Sequence, residues 1–349
     1  MGNGWYNAIY HEKPPFDLPV VYEDDHFAIG TYGSNTKYGT IRTYCAQSVC
    51  FVVNKPAGIV TYSHRGAGHG RMSVKAALPF VVKAPKAGTF SITSRPIACH
   101  RLDKPTSGLV SPLCVDRQLF LPLFLMFAKL VIAKTKPAMV HLTRQFAERK
   151  VKKTYTAIVN GIPDEPAEKS ITSEFAHRLG VDVSPNDERP WQIIDFTLDD
   201  KHAITVWRPL RYVHSLKARE GVLTLVELKP KTGRFHQLRR HMAWVLECPL
   251  VGDKNYDGGR EAMTFRERGL FLCSNRVTLE HPYYNTEVGR KEWETLGDDA
   301  KFAGGMLSLS KDGIVRITAS IDLPTKFESF LTREEARSSK FDAAENSAQ

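Results

Sequence analysis

The chain has 349 residues, of which 42% are hydrophobic and 25% charged, and its formal net charge is +10. This length and balance of residue types exclude a fibrous or wholly disordered protein and leave room for one large domain or two smaller ones. The positive charge favours a polyanionic partner, nucleic acid first, although a merely solvated basic surface would give the same value.

Cysteine usage and hydropathy bear on the compartment. The six cysteines include no C-x-x-C pair and no zinc-binding spacing, which indicates reduced thiols in an intracellular protein. Residues 1–15 lack the apolar segment of a secretory signal. The apolar run at 119–127 is too short to span a bilayer and contains Pro122, so we expect no membrane association.

Short strands dominate the predicted first part of the chain. We expect an irregular lead-in over residues 1–17, then a strand, an acidic turn and the start of a second strand over residues 18–29. A buried strand at 51–53 leads into the turn-forming sequence Asn-Lys-Pro-Ala-Gly at 54–58. Residues 72–82 are predicted to form a short helix.

The polar loop at residues 98–110 contains the first candidate catalytic residue. Asp103 lies between Arg101 and Lys104, and this cationic setting favours the ionised carboxylate. An ionised aspartate on a rigid turn is a candidate nucleophile or general base. The competing interpretation is a loop aspartate in an Asx turn or a surface ion pair, which is the more common situation for a lone aspartate.

Helices and antiparallel strands are predicted for the second half. Residues 137–150 are predicted to form a helix on which Met139, Leu142 and Phe146 share one face. A strand follows at 154–159, and the last part of the chain is polar and charged. Further strands, which we expect to pair antiparallel, are predicted at 193–198, 203–206, 221–228, 270–273 and 276–279.

A second dense polar stretch occupies residues 229–241 and leads into a helix predicted from about 234 to 246. Free backbone N–H groups at residues 231–234, together with the side chain of Arg234, would form a phosphate site. His236 and His241 lie five residues apart, which is the wrong spacing for one helix face, and no carboxylate accompanies them. We therefore reject a metal site at these histidines.

Four motifs follow one another in a fixed order. They are Asn-Lys-Pro-Ala-Gly at 54–58, His-Arg-Leu-Asp at 100–103 with Thr-Ser-Gly-Leu at 106–109, Lys-Thr-Tyr-Thr-Ala at 153–157, and Thr-Gly-Arg-x-His-Gln-x-Arg at 232–239 with Gly-Asp at 252–253. With these motifs the chain resembles, between residues 18 and 282, an RNA pseudouridine synthase of the RluA type. The resemblance implies an α/β fold of the α+β type, in which helices flank a long, mixed, mostly antiparallel sheet. It also implies an enzyme that isomerises uridine in RNA to pseudouridine without cofactor or metal.

The resemblance also implies roles for individual residues. Asp103 corresponds to the catalytic aspartate, and Arg239 corresponds to the arginine that pairs with it. Arg101 matches the arginine that holds the place of the flipped-out nucleotide, and Tyr155 matches the tyrosine that stacks on the target base. The other residues expected to bind the substrate are His100, Thr106, Arg234 and Lys153.

The implied reaction suits these residue types. The C1′–N1 bond of uridine must break, the base must turn, and C5 must bond to C1′. The Asp103 carboxylate could attack the sugar or remove its 2′ proton, and the sequence leaves both routes open. Flipping the uridine out costs roughly a few kcal/mol, and stacking on Tyr155 would return ~1–3 kcal/mol. By itself, however, a tyrosine in a strand is more often a core residue.

Two segments depart from the family pattern. Residues 30–52 and 111–130 interrupt what should be continuous core strands, and excising them joins the flanking sequences in register. We therefore hypothesise that both are translated retained introns or gene-annotation errors, with lineage-specific loops as the alternative. Smaller departures are Glu247 and Asp257, which stand where the family usually has glycine.

The resemblance sets the expected organisation and function. A catalytic domain is predicted over residues 18–285, followed by an extension at 286–349 whose last part we expect to be disordered. We predict an RNA pseudouridine synthase that acts on tRNA or rRNA as a monomer inside the cell. The alternatives are a catalytically inactive RNA-binding protein of the same fold and the defective product of an unspliced message.

Overall fold

The computed structural model describes residues 22–23, 27–29, 51–54, 73–82, 89, 91–98, 129–163, 191–256, 265, 268–296 and 306–348. Twelve strands and five α-helices lie within these residues. The strands are β1 (Tyr22–Glu23), β2 (Phe27–Ile29), β3 (Phe51–Asn54), β4 (Ile92–Ala98), β5 (Lys129–Thr135), β6 (Lys152–Asn160), β7 (Gln192–Leu198), β8 (Lys201–His214), β9 (Val222–Pro230), β10 (Leu272–Glu280), β11 (Leu307–Leu309) and β12 (Val315–Ser320). The helices are α1 (Val74–Val81), α2 (Lys136–Ala147), α3 (Gln237–Trp244), α4 (Glu287–Thr295) and α5 (Thr325–Ala348).

The predicted α+β class is confirmed, and most of the predicted elements are present. The strands expected at 270–273 and 276–279 form one continuous strand instead, β10, because the polar Ser274-Asn275 pair between them stays in the extended conformation. Among the described residues, no helix combines the length and the apolar character needed to cross a bilayer. The described residues fall into two compact units. The first contains those up to 153 and within 274–322, and the second contains those within 154–273 and from 323 onwards.

The first unit contains a five-stranded sheet with the order β1-β2-β3-β5-β4. In this sheet β2 and β3 run parallel, whereas β5 is antiparallel to β2, β3 and β4. The same unit contains the antiparallel strands β11-β12-β10. Val315, Ile317 and Ala319 of β12 are buried and alternate with more exposed residues, which is the period of two that a strand requires.

Helix α2 follows directly from β5. The Thr135 hydroxyl accepts a hydrogen bond from the backbone N–H three residues later, and Pro137 lies in the first turn, where its missing N–H costs nothing. Leu142 is fully buried, and Met139 and Phe146 pack beside it, as the helical spacing predicts. Gln145 exchanges two hydrogen bonds of 2.8 and 2.9 Å with the backbone of Glu280, so its buried amide is satisfied.

The second unit contains four antiparallel strands in the order β6-β9-β8-β7. β6 is buried over its last seven residues, which fits a central strand covered on both faces. Helix α3 packs its apolar side chains Leu238 and Met242 against this sheet. The core of this unit is formed by Tyr155, Ala157, Val159, Ile194, Trp207, Val226, Leu228, Leu238, Met242, Cys248, Leu250, Leu270 and Leu272.

The last part of the chain, which we expected to be disordered, forms helix α5. Phe327, Phe330 and Leu331 are buried on it at helical spacing, and the two phenylalanine rings lie 5.2 and 4.7 Å from the ring of Phe271. This apolar stripe supplies the packing that stabilises a helix of otherwise polar sequence. The prediction of a disordered end is therefore wrong, because it weighed overall composition and missed the periodicity.

The register of β2 and β3 bears on the suspected insertion at residues 30–52. Phe27 of β2 pairs with Ala133 of β5, and Val53 of β3 pairs with Leu130. In an antiparallel pair the residue numbers run in opposite directions, so two residues along from the Phe27–Ala133 pair, position 29 lies opposite position 131. A residue joined directly to position 29 would then lie opposite Leu130, which is the partner that Val53 already has. In the structure β2 and β3 lie side by side, with Ile29 opposite Val52, and Val52 is the partner of Val131. Joining position 29 directly to Val53 would therefore keep Val53 opposite Leu130, so excision of residues 30–52 preserves the register on β5.

Deleting residues 30–52, which include Phe51 and Val52 of β3, is expected to give a folded chain in which β2 continues directly into Val53 and Asn54. Removal of a segment of this length relieves a closure cost of about 2–3 kcal/mol, so the free energy of unfolding should rise by up to that amount. Chemical denaturation measures the change. A chain in which a Gly-Ser segment of equal length replaces residues 30–52 is the matched control, and it should show no such gain.

A shortened chain that fails to fold, beside a full chain that folds, would contradict the proposed register. Sequencing the mature transcript separates the two origins of the segment. Reads that contain residues 30–52 and 111–130 would overturn the intron hypothesis and leave lineage-specific loops.

Glu247 lies just after α3 in the left-handed region, with φ of +51°. A side chain in this conformation costs about 1 kcal/mol relative to glycine, so Glu247→Gly should raise the free energy of unfolding by roughly that amount. The hydrogen bond from Arg219 Nη1 to the Glu247 carbonyl uses the backbone and is retained in the variant. Glu247→Ala is the control, since it removes the same carboxylate but keeps Cβ. An equal gain in both variants would show that backbone strain is not the cause.

Candidate active site

The predicted site residues are divided between described and undescribed parts of the chain. Those outside the described residues are Asp103, Arg101, His100 and Thr106, and the departure Asp257 also lies there. Those within the described residues are Tyr155 and Lys153 in β6, Arg239 in α3, and Arg234 in the turn before α3.

The turn before α3 is held against strand β8 by two buried side chains. The Gln237 amide donates to the Ile204 carbonyl at 2.9 Å and to the Thr205 hydroxyl at 3.0 Å. Its Oε1 accepts from the Thr232 hydroxyl at 2.7 Å and from the Arg234 backbone N–H at 3.0 Å. Thr232 and Gln237, two polar residues of the fourth motif, therefore fix the turn against β8.

The expected phosphate site at the start of this helix is corrected by the same contacts. α3 begins at Gln237 rather than at 234, because His236 adopts a left-handed conformation with φ of +51°. The Lys231 N–H already donates to the Ile204 carbonyl at 2.9 Å, and the Arg234 N–H already donates to Gln237. These two N–H groups are not free for a phosphate. The Arg234 guanidinium donates through Nε to the His202 carbonyl at 3.0 Å.

Arg239 forms the electrostatic centre of the described site. Its Nε and Nη2 donate to the two carboxylate oxygens of Asp253 at 2.7 and 2.6 Å, and both side chains are almost completely buried. Its Nη1 lies 3.2 Å from Nε2 of His236, and its guanidinium carbon lies 4.9 Å from the centroid of the Tyr256 ring. A bidentate pair of this kind fixes the plane of the guanidinium. Arg239 is thus a preorganised cation with one nitrogen directed away from Asp253.

Gly252 makes this placement of Asp253 possible. It adopts φ of +76°, and a Cβ atom there would lie only 2.0 Å from the carbonyl oxygen of Gly269. Only glycine fits such a close approach of two backbone segments. The Gly-Asp pair of the fourth motif is therefore a turn that delivers a carboxylate to Arg239.

Tyr155 and Lys153 lie on the same strand in different surroundings. Tyr155 is 8% exposed and belongs to the core cluster that includes Leu238 of α3, so the strand and the helix that carry two predicted catalytic residues pack together. Lys153 is half-buried, with Nζ 5.8 Å from the Phe146 ring centroid, and burial lowers the pKa of its ammonium group.

Asp253, His236 and Tyr256 were not assigned a role by the sequence analysis. The His236 ring is hydrogen-bonded through Nδ1 to the Tyr256 hydroxyl at 2.8 Å, and both rings contact Arg239. The signal for Asp253 was its place in the fourth motif, next to a glycine. The described residues contain no group of three or more histidine, cysteine or acidic side chains arranged to bind a metal ion.

Comparison with known proteins defines the class. A family model described as RNA pseudouridylate synthase matches residues 129–244. The chain is 32% identical over 243 residues to tRNA pseudouridine synthase C of Vibrio cholerae, covering 66% of this chain and 82% of that protein. It is 29% identical to the protein of the same name from Vibrio parahaemolyticus, covering 79% and 90% of the two chains. It is 32% identical to ribosomal large subunit pseudouridine synthase C of Rickettsia felis, covering 68% and 62%.

Among solved structures, human RNA pseudouridylate synthase domain containing 4 aligns with a TM-score of 0.47 and 18% identity, covering 90% of this chain and 92% of that one. The sequence matches show an RNA pseudouridine synthase, an isomerase of uridine in RNA. Within this class, the chain belongs to the RluA-type family.

Proposed function

We propose that this chain converts uridine to pseudouridine in structured RNA with Asp103 as the catalytic carboxylate, Arg239 as its cationic partner and Tyr155 as the aromatic residue beneath the base. The observation that carries the proposal is the 32% identity over 82% of a tRNA pseudouridine synthase. The buried, oriented guanidinium of Arg239 supports it, because a nearby cation keeps a carboxylate ionised and aimed. Asp253 occupies two of the guanidinium nitrogens, and Nη1 would serve Asp103.

The remaining predicted residues bind the RNA in this proposal. Arg101 would take the place vacated by the flipped uridine, and His100 and Thr106 would hold the adjacent backbone. Arg234 and Lys153 would contact phosphates, which adds affinity without selecting a sequence. The excess of ten positive charges is consistent with this role.

We propose tRNA as the substrate class. The tRNA-modifying relatives from the two Vibrio species are matched over 82% and 90% of their length, whereas the Rickettsia enzyme named for the large ribosomal subunit is matched over 62% of its length. Large-subunit rRNA is the second candidate, because that relative has the same 32% identity. We further propose that the chain acts as an intracellular monomer, since its six cysteines include no C-x-x-C pair and no zinc-binding spacing.

The substrate is tested by incubating the full chain with unmodified tRNA transcripts and, separately, with unmodified large-subunit rRNA. Mapping of pseudouridine should find it at a defined position in tRNA. Product in rRNA alone would transfer the proposal to the second candidate. Binding of either RNA without product would support the catalytically inactive RNA-binding protein.

A further inference from the structure

Two large aromatic side chains are strongly exposed at the two ends of α3. Phe235, two residues before the helix, is 66% exposed, and Trp244, its last residue, is 51% exposed. Neither residue belongs to the predicted catalytic or binding set. Their exposure leaves apolar ring faces in water, which favours a partner that covers them.

The exposed rings are the ends of a series of aromatic contacts, which we call the aromatic ladder: Phe235, His236, Tyr256 and Trp244. Phe235 stacks on His236 with ring centroids 3.8 Å apart and planes 20° apart. His236 and Tyr256 meet edge to face at 5.6 Å, and Tyr256 and Trp244 do so at 5.5 Å. The ladder is therefore a connected surface that passes from one exposed ring to the other through two inner rings.

Two fixed cations lie along the aromatic ladder. Arg239 lies over Tyr256, and Arg240 lies 4.7 Å from the centroid of Trp244. Arg240 is held by both carboxylate oxygens of Asp199 at 2.7 Å, as Arg239 is held by Asp253. Both guanidinium groups are buried and paired with carboxylates, so they hold the rings in place by cation–π contact. The exposed ring faces are then a stacking surface for nucleobases.

We propose that unpaired nucleotides flanking the target uridine stack on Phe235 and Trp244, so that the aromatic ladder is an RNA-binding surface beside the catalytic centre. The inference rests on the proposed function, since the ligand is the RNA substrate. An RNA partner fits better than an apolar protein surface, because nucleobases stack on exposed aromatic rings and the chain carries a net charge of +10. Every nucleobase has a π-face that can stack on these rings, so the surface would bind bases with little sequence preference.

The test measures the Kd of unmodified tRNA transcript and the single-turnover rate at saturating RNA for Phe235→Ala and Trp244→Ala. Each substitution should weaken binding about tenfold, while the rate of the bound complex stays within about twofold of the parent. Phe235→Tyr and Trp244→Phe should retain most of the affinity, whereas Phe235→Leu and Trp244→Leu should not. Phe341→Ala removes an aromatic side chain of α5 that is 48% exposed and is the matched control; it should bind RNA normally.

Unchanged Kd in the alanine variants, or full rescue by leucine, would overturn the inference. Its failure is distinguishable from failure of the proposed function. A parent chain that forms pseudouridine while both alanine variants bind RNA normally refutes the ladder alone. A parent chain that binds RNA without isomerising it, and whose variants lose that binding, refutes the isomerase alone. A parent chain that binds no RNA refutes both.

Discussion

Asp103→Asn is expected to reduce pseudouridine formation by at least about 10³-fold, a loss of about 4 kcal/mol of transition-state stabilisation. Asparagine has almost the same shape as aspartate but carries no negative charge. It can neither attack the sugar nor remove its 2′ proton, so both routes that the sequence leaves open are closed. The single-turnover rate with saturating RNA measures the effect on chemistry separately from binding.

Folding and RNA binding are expected to survive this substitution. Asp312→Asn is the matched control, because that aspartate is half-exposed, pairs with Arg316 on the surface and should leave the rate unchanged. A rate for Asp103→Asn within a few-fold of the parent, with both proteins folded, would contradict the assignment of Asp103. Asp103 would then be a loop aspartate in an Asx turn or a surface ion pair, which is the competing interpretation of the sequence.

Asp253→Asn is expected to lower the free energy of unfolding by about 3–5 kcal/mol, because it leaves the buried guanidinium of Arg239 without its counter-charge. The parent pair has 3% and 0% of its side-chain surfaces exposed, so water cannot replace the lost carboxylate. The substitution should also slow catalysis, since Arg239 loses the contact that fixes its plane. Chemical denaturation and single-turnover kinetics measure the two effects.

The matched control for Asp253 is Asp199→Asn, which breaks a second bidentate pair on the same helix. The carboxylate of Asp199 is 62% exposed, and the expected loss is about 1 kcal/mol or less. Equal losses in the two variants would show that burial of the Arg239–Asp253 pair does not govern its contribution. A loss below about 1 kcal/mol in both would contradict the view that the described site is organised around a buried ion pair.

Local signals were enough to predict much of the fold. Helix α2 followed from a proline in the first turn and an apolar face that includes Leu142, and both features are present. Strands β7, β8 and β9 followed from β-forming runs separated by turns. Helix α5 was missed because its buried stripe is embedded among charged residues, so average composition concealed the spacing of Phe327, Phe330 and Leu331.

Site residues could be predicted where the residue type itself indicates the chemistry. They could not be predicted where two side chains pair only because distant backbone segments come close together. The motif around Arg239 was recognised, but its counter-ion Asp253 lies fourteen residues further along and reaches it only because Gly252 permits a close backbone approach. The aromatic ladder likewise joins Phe235 to Tyr256 across a turn that sequence spacing does not specify. The assignments of Asp103 and of the residues around it in the loop stay predictions.

The most direct test of the central claim is tritium release from RNA labelled at uridine C5, because the C5 hydrogen must leave when C5 bonds to C1′. The full chain, its Asp103→Asn variant and a chain lacking residues 30–52 and 111–130 would be compared on total tRNA and on rRNA. We predict release by the full chain that the Asp103→Asn variant does not show. No release by either the full or the shortened chain on any of these RNAs would contradict the assignment of an active uridine isomerase.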